Sequence, residues 1–230
     1  MGHSVHQVNE STWIIENGGV RLFLLAGTEK ALLIDSGMEL RTARDIAEEL
    51  TDKPVELLNT HADRDHIGSN GQFDTFYMHP REEPLYHRDG RTGTVLPVQE
   101  GDRIDLGQRV LEIIDLPGHT PGSIAVLDVK NRVLISGDPV QAHGRIFMFG
   151  SHRNMDDYVR SLTRLESFTD RFDEIWPSHG DIPAEKELIP KLRRAAESIL
   201  KGEANGHTAD LFGSPIMVYD FGFASFLCDP

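Results

Sequence analysis

Within six positions the chain reads His61-Ala-Asp63-Arg-Asp65-His66, two imidazoles and two carboxylates on one short turn. These are the nitrogen and oxygen donors that bind divalent cations. The apolar run Val55–Asn59 precedes them, so the cluster reads as a loop at a strand end. Such donors on one turn can converge on a metal ion, provided the rest of the chain completes its shell.

Three further positions repeat one arrangement: an apolar strand, then Gly or Pro, then a donor residue. They are His119 in Pro117-Gly-His-Thr-Pro-Gly, Asp138 in Ser136-Gly-Asp, and His179 in Pro177-Ser-His-Gly. Glycine lets the backbone turn sharply where a metal site is crowded. Strand ends along one sheet edge can gather residues that lie far apart in sequence. His79, His87, His143, His152 and His207 lack this context and read as supporting or surface histidines.

The elements that must position these residues follow from the patterning. Thr12–Glu16, Arg21–Ala26 and Ala31–Asp35 read as strands parted by turns. A helix fits Leu40–Leu50, with Ala43, Ile46, Ala47 and Leu50 on one face. Phe73–Met78, Arg109–Leu116, Ser123–Val129, Arg132–Ser136 and Glu174–Trp176 are further strand candidates. Met155–Phe168 reads as a helix capped by Asn154. Leu188, Leu192, Ala196 and Ile199 mark another, with Pro190 required to lie in its first turn. Met217–Tyr219 and Phe223–Leu227 close the chain, and the segment from Phe212 to Leu227 could pair at an edge. No repeat or linker is visible, so residues 1–230 are expected to form one domain.

Composition narrows the function. A formal net charge of −14 disfavours nucleic acid as a partner. No apolar stretch has the length to span a bilayer. The N-terminal Met-Gly-His-Ser-Val-His lacks the basic and apolar regions of a signal peptide. With Cys228 the single cysteine, no internal disulfide forms. The expected location is cytoplasmic. Arg81, Arg88 and Arg91, near His79 and His87, read as a solvated loop, with anion recognition near the site entrance as the sharper alternative.

The four blocks, His61-Ala-Asp-Arg-Asp65-His66, Pro117-Gly-His119, Ser136-Gly-Asp138 and Pro177-Ser-His179-Gly180, taken in order, resemble the metallo-β-lactamase superfamily. Leu33-Ile-Asp35-Ser-Gly37 is similar to its early strand motif. The resemblance covers nearly the whole chain. It implies an α/β fold, a four-layer αββα sandwich of two mixed β-sheets flanked by helices, with a dinuclear metal site at one edge. Carried over by position, His61, Asp63 and His119 would hold one metal. Asp65, His66 and His179 would hold the other, and Asp138 would bridge them. Asp35 would support the site by hydrogen-bonding the ligand loop.

The cofactors so implied are two divalent metal ions, with zinc first and iron or manganese as alternatives. A water bridging them would lose a proton near neutral pH, its pKa falling from about 15.7 toward about 7. The hydroxide would attack a carbonyl or phosphorus centre while one metal stabilises the developing charge. Asp65 and Asp138 would be the catalytic carboxylates, Asp65 orienting the nucleophile.

The chain departs from the family's His-x-His-x-Asp-His pattern at Asp63, where a histidine is expected. A third ligand carboxylate lowers the ligand charge from about −2 to about −3, and the core from about +1 to about neutral. Lewis acidity should weaken, and preference should drift toward oxygen-loving ions such as manganese or iron.

The function expected is hydrolysis of a small ester, thioester, lactone or related substrate by a metal-bridging hydroxide. A di-iron redox enzyme resembling the flavodiiron proteins, with a separate electron donor, is the alternative. A non-catalytic metal-binding module is the third reading. Substrate choice should reside in His79–Val98, Gln141–Arg153 and Asn205–Pro215, read as loops. His143 and Arg145 are candidate substrate-binding residues, and Phe147, Met148 and Phe149 a candidate apolar wall. Lys191, Arg193, Arg194 and Lys201 supply some of the basic charge that a glutathione thioester would call for.

Overall fold

The computed structural model describes residues 2–38, 40, 42–211 and 213–230. Arg41, inside the first expected helix, and Phe212, the start of the expected closing segment, lie outside the described residues. The chain divides into two compact units, Met1–Ile114 with Val126–Lys130, and Asp115–Ala125 with Asn131–Pro230.

The first unit opens with β1 (His3–Asn9), β2 (Thr12–Asn17), β3 (Val20–Ala26) and β4 (Ala31–Ile34). Next come α1 (Ala43–Leu50), β5 (Val55–Leu58), β6 (Thr75–Met78), α2 (Glu83–His87), β7 (Thr94–Pro97), β8 (Arg103–Asp105) and β9 (Val110–Asp115). Strands β1 to β7 form one sheet in chain order. It is antiparallel from β1 to β4 and parallel from β4 to β7. Parallel neighbours need crossover segments, and α1 and α2 lie in two of them. Trp13, Ile15, Leu22, Leu24, Leu33, Ile46, Leu57, Phe76 and Tyr86 share one buried cluster.

A buried ion pair fastens the opposite part of this unit. The Arg109 guanidinium donates to Asp128 Oδ2 from Nη2 at 2.6 Å and from Nε at 3.0 Å. Its other bonds go to the Ser11 and Ala26 carbonyls and to Thr12 Oγ1. Every nitrogen of the buried guanidinium therefore has an acceptor.

Later in the chain come β10 (Ile124–Asp128), β11 (Val133–Gly137), β12 (Arg145–Met148), α3 (Met155–Glu166), β13 (Glu174–Pro177) and α4 (Leu188–Leu200). The chain closes with β14 (His207–Leu211), β15 (Ser214–Asp220) and β16 (Ser225–Cys228). In the first unit β8 pairs antiparallel with β9; in the second β11 pairs parallel with β13, and a four-stranded sheet has the order β12-β16-β15-β14. In the second unit, α3 is capped by Asn154, whose side chain accepts from the Asp157 N–H at 2.9 Å. Pro190 lies in the first turn of α4. Among the described residues no helix is long and apolar enough to cross a membrane.

The differences from expectation have local causes. Strand β1 is exposed along its whole length, so its sequence carries no apolar alternation to read. Strand β4 stops at Ile34 because Asp35 turns into the left-handed region, with φ 63°. The three segments read as loops hold structure: α2 and β7 in the first, β12 in the second, β14 in the third. Each of these elements spans four or five residues, too few to establish a period.

Candidate metal centre

In the first unit, the ligand loop leaves β5 and is gripped by a buried polar framework. Asp35 Oδ1 accepts from the Thr60 backbone N–H at 2.8 Å, and its Oδ2 accepts from Thr60 Oγ1 at 2.8 Å. The same Oδ2 lies 2.7 Å from His66 Nδ1. Thr60 Oγ1 lies 3.0 Å from His61 Nδ1. Because the Thr60 hydroxyl gives its proton to Asp35, it accepts from His61. Both imidazoles therefore carry their proton on Nδ1, which leaves Nε2 as a lone-pair donor in the manner of metal-bound histidines.

These Nε2 atoms face the loop's own carboxylates. His61 Nε2 lies 3.6 Å from Asp63 Oδ2, and His66 Nε2 lies 3.5 Å from Asp65 Oδ2. Two ligand atoms each about 2.1 Å from a tetrahedral cation lie roughly 3.4 Å apart. His61 and His66 are fully buried, while Asp63 and Asp65 are partly exposed. The rings of the two histidines pack at 4.0 Å between centroids.

Neighbouring residues pin the far end of the loop. The His66 carbonyl accepts from the Ser36 N–H at 2.8 Å and from Asn59 Nδ2 at 2.8 Å. Asn59 and Asn70 exchange two hydrogen bonds, and Ser36 Oγ donates to Asn70 Oδ1. Gly68 passes so close to Gly37 that a Cβ would sit 2.3 Å from the Gly37 carbonyl oxygen. The Arg81–Arg91 segment, read from the sequence as a solvated or anion-binding loop, takes part as well. Arg91 Nη1 donates to the Ile67 carbonyl at 3.2 Å, and the buried Glu82 accepts from the Ala62 N–H at 2.8 Å. Arg88 and Arg81 are exposed, with Arg88 3.9 Å from Asp89.

In the second unit, His119, Asp138 and His179 meet. Asp138 Oδ2 lies 3.6 Å from His119 Nε2, and its Oδ1 lies 3.4 Å from His179 Nε2. One carboxylate thus presents a different oxygen to each histidine. His119 Nδ1 donates to the Phe147 carbonyl at 3.0 Å, again leaving Nε2 for coordination.

Helix α3 and the two residues before it hold these turns. The Asn154 N–H donates to the Gly118 carbonyl, Arg153 to the His119 carbonyl, and Tyr158 Oη to the Pro139 carbonyl. Ser161 Oγ reaches the Pro117 carbonyl, and Arg164 the Asp115 carbonyl. Gly118 has φ 134°, and a Cβ there would lie 2.4 Å from the Tyr158 backbone. Gln141 Nε2 donates to the Asp138 carbonyl at 3.0 Å.

His143 and Arg145 are both exposed. His143 has φ 51°, and its Nδ1 lies 2.8 Å from Asp181 Oδ2. Arg193, one of the basic residues of α4, is committed to Glu166 at 2.5 Å and Glu197 at 2.6 Å. Sequence reasoning missed Asn59, Asn70 and Glu82. Their signal was a polar residue inside or beside a buried run, which only its partners make legible.

Comparison with known proteins places this chain in a family. The model of the metallo-beta-lactamase superfamily matches residues 16–179. The chain belongs to that superfamily. Among its curated relatives is the acyl-coenzyme A thioesterase MBLAC2 of Homo sapiens, 26% identical over 78% of this chain and 79% of the relative. A hydroxyacylglutathione hydrolase of Rippkaea orientalis is 32% identical over 69% of this chain and 63% of that protein. A solved metallo-beta-lactamase from Pontibacter korlensis superposes with a TM-score of 0.72 at 17% identity, covering 85% of this chain and 99% of its own. The αββα fold class expected from the sequence is borne out by that likeness. The protein is a metallohydrolase-type enzyme of the superfamily, with candidate ligand groups for divalent metal.

Proposed function

We propose that this protein hydrolyses acyl thioesters at a dinuclear metal centre, with residues 1–230 acting as one domain. The carrying observation is Asp138, whose two oxygens each face a different histidine, as a carboxylate bridging two cations would. Under this proposal Asp65, His66, Asp138 and His179 would hold one metal, and His61, Asp63 and His119 the other. Thioesters are favoured over other acyl substrates because the two relatives are named for an acyl-coenzyme A and a hydroxyacylglutathione, both acyl groups on a thiol.

The donor chemistry fits divalent cations of the zinc, manganese and iron series: imidazole nitrogen with carboxylate oxygen. When bound, such ions acidify water and polarise an acyl carbonyl. The chain's own residues supply the rest. Asp35 and Thr60 hold His61 and His66 in the tautomer that leaves Nε2 available, and the Phe147 carbonyl does so for His119. Asp65 orients the attacking water by accepting its hydrogen bond. Asp63, as a third carboxylate, moves metal preference from zinc toward manganese or iron. His143 and Arg145 contact the carrier half of the substrate, and a cytoplasmic location fits the single cysteine.

The test is metal analysis of protein purified without added metal, followed by a panel of thioesters, oxygen esters, lactones and phosphodiesters. Two metals per chain, preferential thioester cleavage, loss on chelation and return on re-addition are expected. Iron with visible absorption and reductant-driven oxygen uptake would instead establish the di-iron redox alternative. Tight metal with no turnover on any substrate would leave a binding module.

A further inference from the structure

The residues around the ligand loop include one buried acid with no place in the coordination groups. Glu82 immediately precedes α2 and is fully buried, and its Oε2 accepts from the backbone N–H of Ala62 at 2.8 Å. Ala62 stands between His61 and Asp63, so this bond fixes the peptide that joins the two donors. Burying a carboxylate is costly unless it is well bonded, and an apolar side chain in its place would leave the buried Ala62 N–H without this acceptor.

Other contacts show that the loop needs this brace. Asp35 holds Thr60, one residue before His61, and Ser36 with Asn59 holds the His66 carbonyl. Between those anchors, Asp63 and Asp65 are the partly exposed members of the loop. The Asp63 O to His66 N turn, at 3.0 Å, braces only the distal part. Thr60 Oγ1 holds the His61 ring, and Glu82 holds the backbone N–H of Ala62 that follows it.

We infer that Glu82 is a positioning residue that keeps His61 and Asp63 aimed at one cation, and so sets the affinity of one of the two ions. This inference rests on the metal-centre reading above. Its content is geometric: what matters is an acceptor of the right reach at Ala62 N–H, and the negative charge of Glu82 is secondary.

Two variants separate reach from charge. Glu82→Asp keeps the charge and withdraws the carboxylate by one methylene, whereas Glu82→Gln keeps the reach and removes the charge. Affinity for zinc or manganese is measured by competition with a chromophoric chelator, and the thermal midpoint of each metal-free protein is recorded alongside. Supporting tissue lost from around a metal ligand weakens binding roughly 10- to 100-fold. Glu82→Asp should weaken one of the two ions by that factor, and Glu82→Gln should restore it to within about threefold of the parent. The metal-free midpoints should not follow the same order.

Equal affinities in parent and Glu82→Asp would overturn the inference. So would the reverse order, with Gln the defective variant, since charge would then be the operative property. Fewer than two ions bound by the parent protein would overturn the metal-centre reading instead, and the two failures are thereby distinguished.

Discussion

Asp35 Oδ2 lies 2.7 Å from His66 Nδ1, and the same oxygen accepts the Thr60 hydroxyl that in turn serves His61. One buried carboxylate therefore sets the tautomer of two candidate metal-ligand histidines.

Asp35→Asn tests that arrangement. Asparagine tolerates the left-handed backbone that Asp35 adopts at φ 63°, so the turn itself should survive. The amide offers one acceptor where the carboxylate offers two, and its NH2 must face either the Thr60 N–H or the shared position of His66 and Thr60 Oγ1. A drop of roughly 10- to 100-fold in metal affinity is expected, with about 1–3 kcal/mol lost from unfolding in denaturant. Unchanged metal affinity would refute the role given to Asp35.

Asp63→His replaces a carboxylate with an imidazole and returns about one unit of positive charge to the metal core. The protein purified without added metal should shift its content toward zinc, read by elemental analysis. Its activity should persist to lower pH, because bound water ionises more readily beside a more positive core. If neither metal identity nor the pH–rate profile moves, Asp63 does not ligate.

Gly118→Ala and Tyr158→Phe probe the turn beneath His119. At Gly118 the φ of 134° strains any side chain, and a Cβ would collide with the Tyr158 backbone at 2.4 Å. Destabilisation of about 3 kcal/mol or more is expected by denaturant titration, with metal lost alongside. Burial pushes the Tyr158 phenol well above its usual range, so it stays a neutral donor to the Pro139 carbonyl. Removing that hydroxyl leaves a buried acceptor unmet, at about 1–3 kcal/mol. A neutral result at Gly118 would mean that the loop can move away from α3.

Cys228 should be inert. Burial pushes its thiol up to about 11, so near pH 8 about one part in a thousand is thiolate. Alkylation of the folded protein should run at least about 100-fold slower than in denaturant. The sign of the pH effect follows: the unfolded thiol ionises first as pH rises, so this group's contribution to stability is present below about pH 8.5 and declines toward pH 11. Fast labelling at pH 8 without unfolding would contradict this.

The candidate donors stood out in the sequence because each carries a local signature: a metal-capable side chain after an apolar run, beside glycine or proline. Strands with continuous apolar content, such as β3 and β11, were legible for the same reason. The parts that hold the donors were not. Asn59 ended an expected strand, Asn70 fell in no expected element, and Glu82 lay within His79–Val98, read as a loop. Each is buried, and each acquires meaning only through a partner brought near by folding. The wholly exposed β1 and the polar β14 show the converse, backbone pairing that no apolar pattern announces.

Helix α3 and the residues leading into it answer the carbonyls of Asp115, Pro117, Gly118, His119 and Pro139. A turn gripped so largely from one side keeps its shape independently of the exposed surface beyond it. The exposed His143 takes no part in that grip, whereas Arg145 shares β12 with Phe147, whose carbonyl accepts from His119. New substrates could be acquired on that outer face while the inner scaffold is inherited unchanged.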